Sequence, residues 1–566
     1  MPGETTVNGL GVSAGAVHGP VVSVTLAVPT LPELDDPHAA VRSAAETAEA
    51  DLSALAAQLR SAGRDEAAEV VGAQALMAGD PMLVDGILER LDAGSSLDAA
   101  VTDAADTLMA MLSGLDDPYL AQRADDIGEV AARVRRLLAG VESADLTHFT
   151  EPVVLLADSL TAAETAQLDP AVVLGFATET GGPTSHVVII ARALGVPAVV
   201  GAEGLMAAID GASSVALDGA TGEIVLEPGA DIVADFEARA EAHQAAVALA
   251  AEYRGRAVRF GGRAMHVAAN AASEGDVERA IEEAADGIGL LRTEFLYFDR
   301  SDAPSEEEQY ALYAKAAAAF EHPVTVRTFD IGGDKPADCV DVPEEENPFL
   351  GLRGARIYRS HPALFETQVR AALRAAAVGP INLMLPMIST VAEIIDLRGW
   401  IEEIAAGLVA EGVDHAVPPI GIMVEVPAIA LVADAVMPHV DFVSIGSNDL
   451  TQYTLAADRM NGPLSHLQDP MHPSVLALCM FTATAARSAG VSSSVCGLAA
   501  ADPLAAAAFA AMGIDKLSVS APLVNARKSG VDHLDPAGGH EALEAALAAA
   551  DAEEARRAID QWVASS

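Results

Sequence analysis

A chain of 566 residues with 51% hydrophobic content can bury several cores, and its length corresponds to roughly three or four domains. Its formal net charge of −49, from 82 acidic against 33 basic residues, excludes a nucleic-acid surface as its main business, because phosphate backbones would be repelled. The acidity would attract a basic protein partner, and it equally suits a solubility or salt adaptation.

Cys339, Cys479 and Cys496 are odd in number, far apart and outside any CxxC spacing, so neither a disulfide framework nor a thiolate zinc site is expected. The first residues, MPGETTVNGLGVSAG, lack the basic and apolar segments of a signal peptide, and no run approaches 18 uninterrupted apolar residues. The expectation is a cytoplasmic protein without membrane insertion. Lysine occurs only at Lys315, Lys335, Lys516 and Lys528, and none completes a Walker-type phosphate loop.

In chain order, the run GLGVSAGAVHGPVVSVTLA reads as strand. Residues 36–145 then place Val41, Ala44, Ala48, Leu52, Leu55 and Leu59 at three- and four-residue steps, which is helical-hairpin material. Short β-branched runs return in EPVVLLADSL, AVVLGFATET, PAVVG, SVALDG and GEIVLEP. Residues 1–35 and 146–230 are therefore read as one α/β domain, interrupted by an all-helical subdomain over 36–145. Residues 231–254 form a charged, alanine-rich connector helix. From 255 to 566 eight apolar runs, MHVAAN, GIGLL, VTVRTFDI, INLMLP, IGIMVEV, FVSIGS, SSSVCG and KLSVS, alternate with helical segments. That pattern predicts a (β/α)8 barrel with its chemistry at the C-terminal strand ends. The acidic runs 305–308 and 343–347 read as solvated loops.

Residues 181–201, GGPTSHVVIIARALGVPAVVG, combine a glycine-proline turn, two hydroxyl residues able to cap a helix, and apolar residues at helical spacing. His186 falls in the first helical turn, where free N–H groups and the helix dipole favour an anion and disfavour an imidazolium. A neutral imidazole there is a candidate nucleophile. The barrel strand ends carry Arg292, Arg327, Asp330, Lys335, Glu425, Asn448, Asp449 and Cys496, with Arg353 and Arg459 in loops on the same side. Basic groups gathered there in so acidic a chain argue for an anionic small molecule. Glu425 and Asp449, one strand-helix unit apart, suit a hard oxygen-preferring cation, foremost Mg2+. Cys496, next to Gly497 at a strand end, presents a thiol able to give or take a proton.

Together GGPTSHVVIIARALGVPAVVG, GIGLLRTEFLYFDR, RTFDIGGDK, ENPFLGLRGARI, GIMVEVPA, DFVSIGSNDLTQYTLAADR and VCGLAA resemble enzyme I of the bacterial sugar phosphotransferase system, over nearly the whole chain and in the family's order. The resemblance implies that His186 accepts a phosphoryl group from phosphoenolpyruvate and passes it to a histidine of the carrier protein HPr. It implies that Thr165 orients His186 and that Arg292, Arg327, Arg353 and Lys335 hold the donor phosphate. It further implies that Glu425 and Asp449 bind Mg2+, that Asn448 and Arg459 contact phosphate or carboxylate, and that Cys496 protonates the enolate to give pyruvate. A homodimer through the barrel, HPr docking on the helical subdomain and a swing about the connector are implied as well. Leu498 stands where glutamate is expected, and Gln74 where a histidine faces HPr, whereas Arg123 matches. Pro183 and Val188 vary within the histidine motif without disturbing its turn or apolar face. Relatives that make phosphoenolpyruvate with ATP need a nucleotide-binding domain, and the helical subdomain occupies that space instead. Loss of His186 or of the Glu425/Asp449 pair would favour a non-catalytic, ligand-binding relative, and neither is lost.

Overall fold

In a computed structural model, the described residues are 4–25, 29–61, 64–113, 118–141, 146, 149, 151–182, 185–209, 211–298, 300–333, 335, 337–343 and 345–566, with the side chains of 65, 66 and 112–125 also outside the described set. Two compact units are formed, Met1–Ala245 and Ala246–Ser566.

In the first unit β1 (Thr5–Asn8), β2 (Leu10–Ser13), β3 (Ala16–Val24), β4 (Val153–Ala157), β5 (Val173–Thr178), β6 (Ala198–Val200), β7 (Ser214–Asp218) and β8 (Glu223–Leu226) share one sheet. Among the described residues its order is β1-β8-β7-β3-β4-β5-β6-β2. The centre, β3 to β6, is parallel, and antiparallel strands flank it on both sides. Central strand β4 is buried along its whole length, as expected for a strand covered on two faces.

Between β3 and β4 the described residues form five helices: α1 (Pro37–Ser61), α2 (Asp65–Ala78), α3 (Pro81–Asp92), α4 (Leu97–Ser113) and α5 (Pro118–Leu138). On α1 the buried positions Val41, Ala44, Ala48, Leu52, Ala56 and Leu59 form one stripe, the spacing that one helical face dictates. After β4 come α6 (Ala162–Ala166) and, after β5, α7 (His186–Leu194). Ala162, Ala163 and Ala166 of α6 and Ile190 of α7 belong to the same apolar cluster as residues of α1 to α5. This shared core brings the insert against the edge of the sheet domain that carries His186. A short α8 (Leu205–Ala208) precedes β7, and α9 (Ala230–Glu252) is the charged, alanine-rich helix read from sequence.

The second unit is a closed barrel. Its strands are β10 (Arg263–Ala271), β11 (Ile288–Arg292), β12 (Val324–Arg327), β13 (Ile381–Leu385), β14 (Ile420–Val424), β15 (Phe442–Gly446), β16 (Ser492–Cys496) and β17 (Lys516–Ser520). All neighbours are parallel, and β10 pairs with both β11 and β17, which completes the ring. A three-residue antiparallel strand, β9 (Val258–Phe260), adds to β10. Inside the barrel Leu290, Met384, Met423, Phe442 and Cys496 form their own apolar cluster, so the interior is a packed core and not a channel. The eight runs read from sequence are these eight strands.

Candidate active site

Two polar clefts stand out, one in each unit. In the first, Gly181 adopts φ +119°, a region that glycine enters without steric cost. Ser185, extended at φ −66° and ψ 155°, precedes α7, so His186 is its first residue, and Gly195 at φ +66° ends it. The Ser185 side chain makes no cap, and its hydroxyl is buried without a partner among the described residues. The first N–H groups of α7 are thus left for other acceptors. The surrounding cleft is about 450 Å³, and Thr161, Thr178, Thr180, Asp126 and Glu129 contribute to its walls.

The imidazole of His186 is 20% exposed, and its Nδ1 lies 3.0 Å from Asp126 Oδ1. A carboxylate oxygen accepts, so Nδ1 carries the proton and the lone pair is on Nε2. Gln74 Nε2 donates to Asp126 Oδ1 at 3.1 Å and to Glu129 Oε2 at 2.8 Å, and Ala162 N donates to the same Glu129 oxygen at 3.1 Å. Burial pushes the Glu129 carboxyl up to about 7 despite those donors. A buried pair, Arg136 Nη1 to Glu164 Oε1 at 2.8 Å, braces α5 against α6.

The second cleft, about 390 Å³, opens at the C-terminal strand ends of the barrel. Arg292 and Arg327 are paired in register as the last residues of β11 and β12. Buried Glu294 receives Arg327 Nη2 at 2.6 Å and Arg292 Nε at 3.1 Å, with Lys335 Nζ at 3.9 Å. Burial alone would raise its carboxyl, but the charges of Arg327, Arg292 and Lys335 overcome it and hold the group at about 2. Asp330 sits in the same way between Arg353 (2.8 Å), Arg327 (3.2 Å) and Lys335 (3.5 Å). Fixed carboxylates therefore aim the cations before any ligand arrives, which is the preorganisation that charge stabilisation requires. Arg353, fully buried, reaches Asp449 Oδ1 at 3.3 Å, and Arg459 approaches the same oxygen at 3.4 Å.

Cys496 closes β16 at 2% exposure, with Ser444 Oγ 3.6 Å from its sulfur, which itself donates to Ile445 O at 3.5 Å. Burial pushes its thiol up to about 11, so it stays protonated at ordinary pH, a state that has a proton to give and is a poor nucleophile. Gly497 follows at φ +92°, and a Cβ there would meet Ser447 Oγ at 2.5 Å and Asn448 Oδ1 at 2.8 Å. The missing side chain lets Asn448 Oδ1 accept Leu498 N at 2.9 Å.

Three family profiles match in succession: the N-terminal part of phosphoenolpyruvate-utilising enzymes over residues 8–123, their mobile domain over 149–222 and their phosphoenolpyruvate-binding domain over 249–535. The phosphoenolpyruvate-protein phosphotransferase of Streptomyces coelicolor is 41% identical over 98% of both chains. That of Haloferax volcanii is 41% identical over 86% of this chain and 85% of its own. The chain belongs to the phosphoenolpyruvate-protein phosphotransferase family. It is an enzyme of phosphoenolpyruvate-dependent phosphoryl transfer. A solved structure described as Enzyme I (nEIt) is 28% identical, covering 42% of this chain and 99% of its own at a TM-score of 0.36, too low an overlap to argue from.

Phosphoryl transfer in such a family implies a divalent cation, and the residues fit one. Glu425 Oε1 accepts Met387 N at 2.6 Å, while Oε2 is buried without a hydrogen-bond partner among the described residues. Burial, together with the charges of Asp449 and Asp330, holds the carboxyl well above its ordinary range. A cation beside these oxygens would remove that penalty. Among the described residues no group of three or more His, Cys, Asp or Glu side chains is placed to hold a metal; Glu425 and Asp449 offer two oxygen donors, a shell that substrate oxygens and water could complete.

Arg292, Arg327, Lys335, Glu425, Asn448, Asp449, Arg459 and Cys496 all line the barrel cleft, with Arg353 directly behind it. Three expectations fare differently. The Thr165 hydroxyl, fully buried on α6, donates to Thr161 O at 2.9 Å, and Asp126 is a side chain that meets the imidazole. Gln74, expected on a carrier-facing surface, is 2% exposed with its amide directed inward. Arg123 lies on α5 with its side chain outside the described residues. Sequence reasoning missed Asp126, Glu129 and Glu294. The first two are three apart on one helix and so share a face, the one available signal.

Proposed function

We propose that the protein transfers the phosphoryl group of phosphoenolpyruvate to Nε2 of His186 and then to a histidine of HPr, releasing pyruvate, as the first step of sugar uptake in the cytoplasm. The observation that carries this reading is one cleft holding Arg292, Arg327, Lys335 and Arg459, a carboxylate pair and a buried protonated thiol. Anion-binding groups answer the phosphate and carboxylate of the donor, and the thiol answers what remains after the phosphate leaves.

In this reading Arg292, Arg327 and Lys335 hold the departing phosphoryl oxygens, Arg353 supports them through Asp330, and Asn448 and Arg459 take the remaining phosphate or carboxylate oxygens. Glu425 and Asp449 hold Mg2+, which when bound neutralises charge on substrate oxygens. The bond between phosphorus and the enol oxygen breaks as that between phosphorus and Nε2 forms, and the electron pair stays on the enolate. The enolate carbon then takes the proton of Cys496 Sγ, giving pyruvate. Asp126 keeps the Nδ1 proton in place, so that Nε2 is the nucleophile.

Residues 36–145 are the HPr-docking subdomain, Arg123 among its contacts, and residues 1–35 and 146–230 the histidine-bearing domain. Residues 231–254 are the connector about which His186 moves between carrier and barrel, and residues 255–566 form the barrel and a homodimer interface. The test is incubation with Mg2+ and phosphorus-labelled phosphoenolpyruvate, with and without HPr. Label passes through the wild-type chain to HPr, and His186→Ala, whose side chain lies at a cleft wall and not in a core, takes up none. Labelling of His186→Ala would refute the assignment.

A further inference from the structure

The barrel also has a cavity at its other end, of about 290 Å³, to which β10 contributes His266 and Ala268 and the other seven strands contribute at or just before their N-terminal ends. A barrel base is ordinarily a packed layer that serves stability. Here His266 of β10, His322 just before β12 and Lys516, first residue of β17, look into the space. The two imidazoles lie 4.5 Å apart, centroid to centroid, tilted by 54°. Asn382 and Ser492 add neutral polar groups.

The nearby carboxylates are already committed. Asp286 takes Lys528 Nζ at 2.6 Å and Val267 N at 2.8 Å, and it comes no closer than 4.0 Å to His266. Asp441 holds Arg398 Nη1 at 3.0 Å and Ile420 N at 2.8 Å. Asp515 holds Arg263 Nη2 at 2.7 Å and Ser493 N at 2.9 Å. Of the four lysines, Lys315 is paired with Glu274 and Glu278, Lys335 with Glu294 and Asp330, and Lys528 with Asp286. Among the described residues Lys516 alone of these has neither an ion pair nor a hydrogen bond for its ammonium. Asp286 and Asp441 also line the cavity, and Asp286 and Asp515 attract Lys516 from a distance, yet their oxygens are taken by other donors, so a largely buried ammonium beside two imidazoles is left without a direct partner of its own among the described residues.

We propose that the base of the barrel binds a small phosphate-type anion, held by Lys516, His266 and His322 with Asn382 and Ser492 as neutral partners. This site is separated from the barrel-mouth cleft by one strand length, roughly 16 Å for five residues. Burial lowers the affinity of both Lys516 and His266 for their protons, and a bound anion would reverse that cost.

The test uses the full chain, labelled at histidine carbon atoms and titrated near neutral pH with inorganic phosphate and, separately, with glycerol 3-phosphate. The His266 and His322 resonances, identified through His266→Asn and His322→Asn, are expected to shift to saturation toward the imidazolium form. Lys516→Gln should weaken that binding by about tenfold or more, the effect of deleting one charged hydrogen bond, while turnover of phosphoenolpyruvate stays near the wild-type rate. His322 is exposed, so His322→Asn supplies a second weakened variant even if Lys516→Gln folds poorly. Tighter binding of the ester assigns the site to phosphorylated small molecules, and equal binding assigns it to the free ion. A shift that never saturates, or an affinity unchanged in both variants, would overturn the proposal.

Discussion

Glu129 ties the stability of the first unit to pH. Its carboxyl, ordinarily near 4.5, is held at about 7 by burial, so between these values the folded chain binds a proton that the unfolded chain has released. A carboxyl raised on folding gives stabilisation that is complete below pH 4.5 and lost as pH rises through about 7. At 1.36 kcal/mol per pH unit the displacement corresponds to about 3 kcal/mol, and partial opening of the side chain to the cleft trims this to about 2 kcal/mol by solvent screening. Glu129→Gln keeps an oxygen to accept from Gln74 and Ala162 but removes the titration. Hydrogen exchange of the α5 and α6 amides in the full chain, corrected for the intrinsic pH dependence, reads the effect. Wild-type protection should fall by about 2 kcal/mol across that window, and the Gln variant should stay flat. An unchanged slope in Glu129→Gln would show that burial of this carboxyl is not what sets the gradient.

Cys496→Ala should slow pyruvate formation about 100-fold or more, the scale of a lost general acid, with little change in phosphoenolpyruvate binding by calorimetry; equal losses in both would remove the proton-donor role. Glu425→Gln should weaken the Mg2+ dependence of phosphoenolpyruvate binding, read as a rightward shift of the metal titration, and a wild-type curve would contradict its place as a ligand. Gly497→Ala forces a Cβ at φ +92° against Ser447 and Asn448, a strain of about 1–3 kcal/mol. Its melting temperature and its rate should fall together, and unchanged values would show that the strand end relaxes freely.

The barrel is legible in sequence because its strands are covered on both faces and appear as unbroken apolar runs. Strand ends then follow by counting, which is how Arg292, Arg327, Glu425 and Cys496 are found. The short antiparallel strands β1 and β9 escape, since TTVN and VRF carry no apolar run. Asp126 and Glu129 are hidden for another reason. Their partner His186 is 60 residues away from Asp126, and on a helix of an acidic chain two carboxylates read as solvated surface. Only the apolar contact of α6 and α7 with the insert turns that face inward. Glu294 lies within a motif whose arginine draws the attention, yet its value to the site is that it fixes two arginines at once.

The two clefts differ in what they offer a phosphoryl group, and this bears on the direction of the proposed transfer. A phosphoryl group carries about two negative charges near neutral pH. On His186 it would stand beside Asp126 and Glu129, whose carboxylates meet at Gln74 and whose nearer member is 3.0 Å from Nδ1. Like charges some 5–6 Å apart repel by about 3 kcal/mol at an effective dielectric of 20, so a phosphorylated imidazole is driven out of a cleft that suits the bare one. The barrel mouth does the reverse, gathering Arg292, Arg327, Lys335, Arg353 and Arg459 from a chain with only 33 basic residues. Acidity is thus concentrated where the imidazole rests without its phosphate, and the scarce cations where the phosphate is taken from its donor. In the proposed transfer the hydrogen bond to Asp126 would hold the histidine only while it is unloaded, because a phosphorylated imidazole would meet this carboxylate as a like charge.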